Sequence, residues 1–479
     1  MTRYETGSDE GWSAPPLERA VERAGDARWT ALYVMCAGVL MIVLDATVVN
    51  VALPSIQDDL GFSTSSLAWV VNAYLIAFGG LLLLAGRLGD LVGRRSVFLL
   101  GLGVFTGASL LCGIAQTQEI LVGARFLQGI GGALTSAVVL GMIVTMFPDP
   151  REQAKAIGVY SFVASAGGSI GLLAGGVLTL ATAVLAMRLL DRDTGIGFAG
   201  GADVPGAVLI TSALMLGVYT IVKPAAEDGW LASRTLVLGA VSLALLAAFI
   251  VREATARNPL MPLRIFRSRN VSGANAIQAL CVVGMFGSFF LGSLYLQRVL
   301  GYDALEIGLA FLPVTIVMGF LSLRYAGPLI TRFGARNTLV PGLGLIMAAL
   351  ALFTRAPVGG SYAVHVLPVM ILLGAGAALA FPALVTLAMS GATPADAGLA
   401  SGVVNTTVQV GGALGLAVLA TLSASHSDRL IAHGQASAAA LTSGYHLAFW
   451  IGAFLVAVAI VVALAVLRPV TAAAHVDAG

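Results

Sequence analysis

Long apolar stretches alternate with short polar ones from residue 29 almost to the end of the chain. Thirteen apolar blocks stand out: 29–53, 67–85, 96–115, 119–147, 156–190, 204–223, 235–251, 272–300, 305–325, 338–353, 364–390, 399–422 and 445–467. Most approach or exceed the ~20 apolar residues that carry a helix across a bilayer. None shows the alternating in/out period of a barrel strand, and lipid offers backbone polar groups no partner outside a helix. The pattern therefore predicts an all-α polytopic membrane protein. Residues 1–28 are polar, with mixed charges and no apolar core, so they do not form a signal peptide. They read as a cytoplasmic tail with a helix around 17–24, and residues 468–479 read as a second tail.

The block 156–190 fits neither one crossing nor two. As one helix its 35 residues would run about 52 Å against a hydrocarbon core of ~30 Å. As two crossings it leaves each leg short of a span, with no turn between them. The expectation is a distorted, incompletely spanning hairpin that turns near Thr179 to Thr182.

Composition agrees with the pattern. Of 479 residues, 58% are hydrophobic and 10% charged, with a mean hydropathy of +0.94; soluble domains carry ~25% charge. The net charge of +2 gives no reason to expect nucleic acid as a partner. Placement says more. Arg87, Arg94, Arg95, Arg151, Lys155, Arg188, Arg192, the cluster from Arg252 to Arg269, Arg332 and Arg336 fall in alternate loops and mark them as cytoplasmic. Asp228, Trp230, His365, His426 and His433 fall in the opposite loops. Cys36, Cys112 and Cys281 lie in separate apolar runs without metal spacing and read as small packing hydrophobes.

The chain repeats itself. Residues 158–172 (GVYSFVASAGGSIGL) match 402–416 (GVVNTTVQVGGALGL) at an offset of 244. Residues 129–134 (GIGGAL) match 374–379 (GAGAAL) at 245, and Gly86 and Gly93 match Gly327 and Gly334 at 241. Three matches in one order at nearly one offset imply two homologous halves, an arrangement that transporters use with a substrate site near the midplane. Against this register the first half lacks about one helix-plus-loop unit, near Thr179.

Asp45, in LDATVVNVALP (44–54), is the carboxylate set well inside an apolar run. An intramembrane ionisable group is costly and reads as functional, with a structural acid paired to a neighbouring helix as the bland alternative. Arg125, Gln128, Gly129, Gly132 and Ser136 form a polar and small stripe along one helix face. Arg125 keeps its charge, so it needs a partner, a water-filled cavity, or a snorkelling route from its helix end. Ser401, Asn405, Gln409 and Gly412 form a second stripe, with Asn72 and Tyr74 as further polar candidates for a substrate cavity. Each taken singly also fits a bond between helices. No phosphate-cradling motif or nucleophile–base pair appears, so neither a nucleotide-driven pump nor an enzyme is expected.

Residues 86–95 read GRLGDLVGRR, a charged ten-residue break between two apolar runs in which Gly86, Gly89 and Gly93 allow a tight reversal. Together with LDATVVNVALP, WVVNAYLIAFGG (69–80), RFLQGIGGAL (125–134) and SGVVNTTVQVGGALG (401–415), this stretch resembles the fourteen-helix drug:proton antiporters of the major facilitator superfamily. The likeness covers roughly 29–467. It implies the major facilitator fold, with two pseudo-symmetric bundles and two linker helices. The divisions are a bundle at 29–190, linker helices within 191–251, a basic loop at 252–271 and a second bundle at 272–467. It implies alternating access, Asp45 and Arg125 at the proton-coupling site, and Gly86, Asp90, Gly93, Arg94 and Arg95 in a cytoplasmic gate. Gly158, Gly167, Gly168, Gly171, Gly175 and Gly176 fall on the family's antiporter signature, where Leu172 stands in place of the usual proline. Fourteen helices are usual in that family against the thirteen blocks here, the fifth and sixth being merged and shortened.

The expected function is proton-coupled export of amphipathic or lipophilic small molecules by a monomer in the cell membrane, with both termini cytoplasmic and no cofactor beyond the proton gradient. The alternatives are a metabolite facilitator or symporter, and a protein whose transport is impaired by the shortened unit.

Overall fold

A computed structural model describes residues 16–147, 203–257, 259–261, 263–390 and 397–468, with 152, 156, 159, 160 and 163. Among the described residues there is no strand, and twelve helices are long and apolar enough to cross a membrane. The block 156–190, its turn near Thr179, and Gly158, Gly167, Gly168, Gly171, Gly175 and Gly176 lie outside the described residues, apart from 156, 159, 160 and 163.

The first half holds α1 (Pro16–Leu60), α2 (Thr64–Val92), α3 (Arg94–Gly113) and α4 (Gln118–Met146). Then come α5 (Val204–Val222) and α6 (Ser233–Thr255). The second half holds α7 (Arg269–Arg298), α8 (Ala304–Leu321), α9 (Ala335–Phe353), α10 (Leu367–Met389), α11 (Ala397–Ala432) and α12 (Ser437–Val466). A π-turn at Ser322–Ala326 carries α8 on into a further helix at Gly327–Phe333, and another at Tyr362–Val366 leads into α10.

Short polar residues start these helices where the apolar runs begin, by accepting from the free N–H groups of the first turn. Ser63 accepts from Ser66 N at the start of α2, Thr117 from Ile120 N at α4, and Asp203 from Gly206 N at α5. Asp303 and Glu306 form a reciprocal capping box at α8.

Several expected boundaries move. The helices outrun their apolar blocks, because backbone hydrogen bonding continues into the interfacial region where side chains are polar. Thus the helix expected around 17–24 is part of α1, which runs unbroken from Pro16, while α6 continues to Thr255 and α7 starts at Arg269. His426, expected in a loop, sits within α11 and bonds to Ser443. The largest change concerns residues 86–95. α2 continues to Val92 and α3 starts at Arg94, so the reversal rests on Gly93 alone, at φ 105°. That region of φ favours glycine because a Cβ would clash with the backbone.

The two halves are built alike where glycines let helices touch. Gly334, the counterpart of Gly93 at offset 241, also has positive φ (83°) and starts α9. A Cβ at Gly131 would stand 2.7 Å from Phe105 Cα on α3, and one at Gly376 would stand 2.9 Å from Ile346 N on α9. Gly129 lies against the Tyr74 carbonyl on α2, and Gly374 against the Val314 carbonyl on α8. The same small residues thus press the same helix pairs together in each half. The repeat seen in 158–172 has its first copy outside the described residues. Its second copy packs on α7, with Gly411 against Ala279 and Gly415 against Val283.

The halves meet along α2 and α11. Leu83 reaches Gly402, Gln409 Cβ would stand 2.8 Å from a Cβ at Gly79, and Thr406 Oγ1 donates to the Gly79 carbonyl at 3.4 Å. At the end of the bundle remote from Gly93, Arg298 of α7 pairs with Asp58 of α1 and donates to Gln57 at 3.2 Å. α5 bridges this seam: Thr211 abuts Gly80 of α2, and Thr421 of α11 donates to the Ile221 carbonyl at 3.3 Å.

Candidate functional site

Asp45 lies in the middle of the apolar part of α1, and Arg125 is two turns into α4. The chain brings them together. Arg125 Nη1 donates to Asp45 Oδ2 at 2.6 Å, and the arginine is 2% exposed against 19% for the acid. Gln128, one turn along α4, donates from Nε2 to Asp45 Oδ1 at 2.7 Å and accepts from Arg125 Nη1 at 2.5 Å. Both carboxylate oxygens are therefore held, one by charge and one by an amide.

The guanidinium is fixed from other directions too. Arg125 Nε donates to the Val70 carbonyl at 2.9 Å, and the Tyr74 ring lies 4.6 Å from its carbon, a cation–π contact. Val70 and Tyr74 both belong to α2, so one side chain ties α1, α2 and α4 together. Gln128 extends the cluster to α3, donating to Ser109 Oγ at 2.7 Å while Cys112 Sγ donates to its Oε1 at 3.7 Å. Burying an arginine is tolerable only with its donors satisfied and its charge paired. Snorkelling is not what Arg125 does. The asymmetry of exposure matters chemically: the acid can be reached from outside the cluster and the base cannot.

The other polar candidates separate into three groups. Tyr74 and Gln128 belong to this ion-pair cluster. Asn72 is fully buried on α2, and neither of its amide atoms has a partner. Asn405 is exposed and Gln409 half-buried on α11, at the seam between the halves. The α4 stripe divides as well, with Arg125 and Gln128 serving Asp45 while Gly129 and Gly132 admit Tyr74 and Phe78 of α2.

At the Gly93 junction, Arg94 Nη2 donates to Asp90 Oδ1 at 3.0 Å and its Nη1 to the Gly141 carbonyl at 2.8 Å. Asp90 and Arg94 are four residues apart yet on different helices, so the pair staples the α2–α3 turn to the end of α4. Gly86 faces Ala137, and Gly89 packs against Val138.

Sequence reasoning missed several participants. The Val70 carbonyl left no trace in the sequence, being backbone. Ser109 and Cys112 looked like small residues of an apolar run, and only their four-to-three spacing toward Gln128 could have flagged them. Asp203 and Glu253, both buried, sit at helix ends beside Arg252, and the sequence pattern did not single them out.

No group of three or more His, Cys, Asp or Glu side chains among the described residues has the arrangement of a metal site. Two repeated helical halves of membrane-spanning length, the first holding an embedded ion pair, define a multi-pass membrane transport protein. Residues 35–416 match the Major Facilitator Superfamily, and the chain belongs to that family of transporters rather than to any enzyme class. It is 39% identical to a puromycin resistance protein of Streptomyces alboniger, over 97% of this chain and 95% of that one. It is 37% identical to a cephamycin export protein of Amycolatopsis lactamdurans, over 90% of this chain and 91% of the relative. In fold it resembles the crystal structure of a bacterial homologue of the human lysosomal transporter Spinster, with a TM-score of 0.63 at 17% identity. That alignment covers 91% of this chain and 96% of the other.

Proposed function

We propose that this chain exports small amphipathic molecules from the cytoplasm in exchange for protons, by alternating access. The observation that carries the reading is the Asp45–Arg125 pair: an accessible carboxylate bound to an inaccessible guanidinium inside a membrane bundle. A proton on Asp45 removes one charge of a pair whose other member cannot leave, and breaking a buried pair costs about 3–5 kcal/mol. Proton binding therefore works against the helix arrangement seen here and favours one in which Arg125 finds other acceptors. That is how a proton gradient can drive a conformational cycle without a nucleotide.

The names of the relatives support antibiotics as cargo, since one is a puromycin resistance protein and another a cephamycin export protein. Asn405 and Gln409 stand where a substrate between the halves would meet them. Gly86, Asp90, Gly93, Arg94 and Arg95 serve as the hinge of the cytoplasmic gate, because the Arg94 fork holds three helix ends in register. The arginine-rich ends of α2, α6 and α9 support, by the positive-inside rule, a cytoplasmic side at those ends and both termini inside, in the cell membrane that an exporter requires. The Arg298–Asp58 contact then latches the outer face. The transporter works as a monomer.

Cells expressing the chain should accumulate several-fold less puromycin than control cells while energised, and a protonophore should abolish the difference. A difference that survives collapse of the proton gradient contradicts proton coupling. Equal accumulation in energised cells, with the protein present in the membrane, contradicts export of this drug.

A further inference from the structure

A second pair of buried carboxyl groups lies far along the chain from Asp45, at the end of the bundle where α5 begins and α6 ends. Asp203 and Glu253 are each less than a tenth exposed. One oxygen of each is fully engaged. Asp203 Oδ1 accepts from Arg252 Nε at 2.7 Å and from Gly206 N at 3.1 Å, and Glu253 Oε2 accepts from Met261 N at 2.7 Å. The remaining oxygens, Asp203 Oδ2 and Glu253 Oε1, are buried without any hydrogen-bond partner.

Both orphan oxygens border the space beside Gly206. A Cβ on Gly206 would stand 2.6 Å from Asp203 Oδ2 and 3.0 Å from Glu253 Oε1. The oxygens are thus no farther apart than the sum of those distances, and glycine at 206 leaves room for them. Two ionised carboxylates facing each other in a buried site repel, and one proton between them turns the repulsion into a hydrogen bond.

The surrounding charge does not remove the conflict. Arg252 pairs with Asp203, so it neutralises one carboxylate, not two. α5 carries no charged residue between Asp203 and Lys223 at its far end. Of the helices packed against α5, α11 has its charged residues at the opposite end, and α2 carries Arg87 and Asp90 at this end. The segment after α6 carries Arg257, Arg264 and Arg267.

We propose that Asp203 and Glu253 bind one proton between them, as a carboxylic acid donating to a carboxylate, and that this shared proton clasps the α5–α6 hairpin. The proton comes from and returns to water, and no other bond changes. The clasp is a proton site separate from Asp45, and it anchors α5, the helix that touches both α2 and α11 across the seam. Stability that depends on the shared proton is present at low pH and lost as pH rises through the value at which the pair releases it, because both groups are then charged.

The test uses purified full-length protein in detergent. Glu253→Gln places an amide N–H toward Asp203 Oδ2 at every pH, so its melting temperature should stay level where that of the wild type falls with rising pH. Infrared pH-difference spectra should show a protonated-carboxyl band in the wild type and in Asp45→Asn, but not in Glu253→Gln. If Glu253→Gln does not fold, Asp203→Asn makes the reciprocal replacement and should remove the same band. Parallel melting curves, or a carboxyl band that disappears only with Asp45→Asn, would overturn the proposal while leaving the role of Asp45 intact.

Discussion

Arg125 illustrates how much a single side chain must satisfy to exist inside a membrane protein. Its Nε and Nη1 donors have different acceptors, on α2, α1 and α4, and its planar face lies on Tyr74. Lysine keeps the charge but lacks the fork and the flat face. Arg125→Lys should therefore lower proton-driven drug flux about tenfold or more, a loss of ~1.4 kcal/mol or greater in effective coupling. The check is flux per molecule in membranes matched for protein amount. Unchanged flux would show that charge alone suffices at position 125. The Asp45–Arg125 association was half visible in the sequence. Two ionisable residues in apolar runs announce themselves, because each is too costly to stand alone. The sequence could not show that they answer each other across 80 positions, nor that the Val70 carbonyl and Ser109 complete the set.

At the scale of helices, the contacts are made by what is missing from glycine. α3 and α4 approach so closely at Gly101 and Gly131 that a Cβ at Gly131 would lie 2.8 Å from the Gly101 carbonyl oxygen. Backbone cannot yield there as a flexible side chain could. Gly131→Ala should destabilise the protein by about 1–3 kcal/mol through overpacking, seen as a lower melting temperature in detergent. Gly103→Ala, on α3 with nothing within 4 Å of the added carbon, should leave it unchanged. Equal effects at both positions would contradict the close-packed crossing. The existence and order of the helices were legible because hydrophobic length is a strong signal. Their ends were not, since interfacial turns are polar and look like loops. Residues 86–95 are the sharpest instance: seven of the ten belong to α2, and Gly93 alone makes the turn.

For the molecule as a whole, the repeat at offsets 241 and 245 survives in three dimensions as a matched glycine turn and matched helix crossings. The two halves touch along the α2–α11 seam. The hairpin α5–α6 has no counterpart in the repeat, and its α5 lies against both α2 and α11 at that seam. The repeat and the two linker helices were legible in one dimension; that α5 touches both α2 and α11 was not.

The central claim is that Asp45 is the group through which the proton gradient acts. The direct measurement is puromycin flux in proteoliposomes holding purified protein, with a pH gradient imposed across the membrane. Wild type should drive uphill transport of the drug, and Asp45→Asn should lose gradient-driven flux by at least tenfold while melting cooperatively and reconstituting to the same level. Full gradient-driven transport by Asp45→Asn would contradict the account.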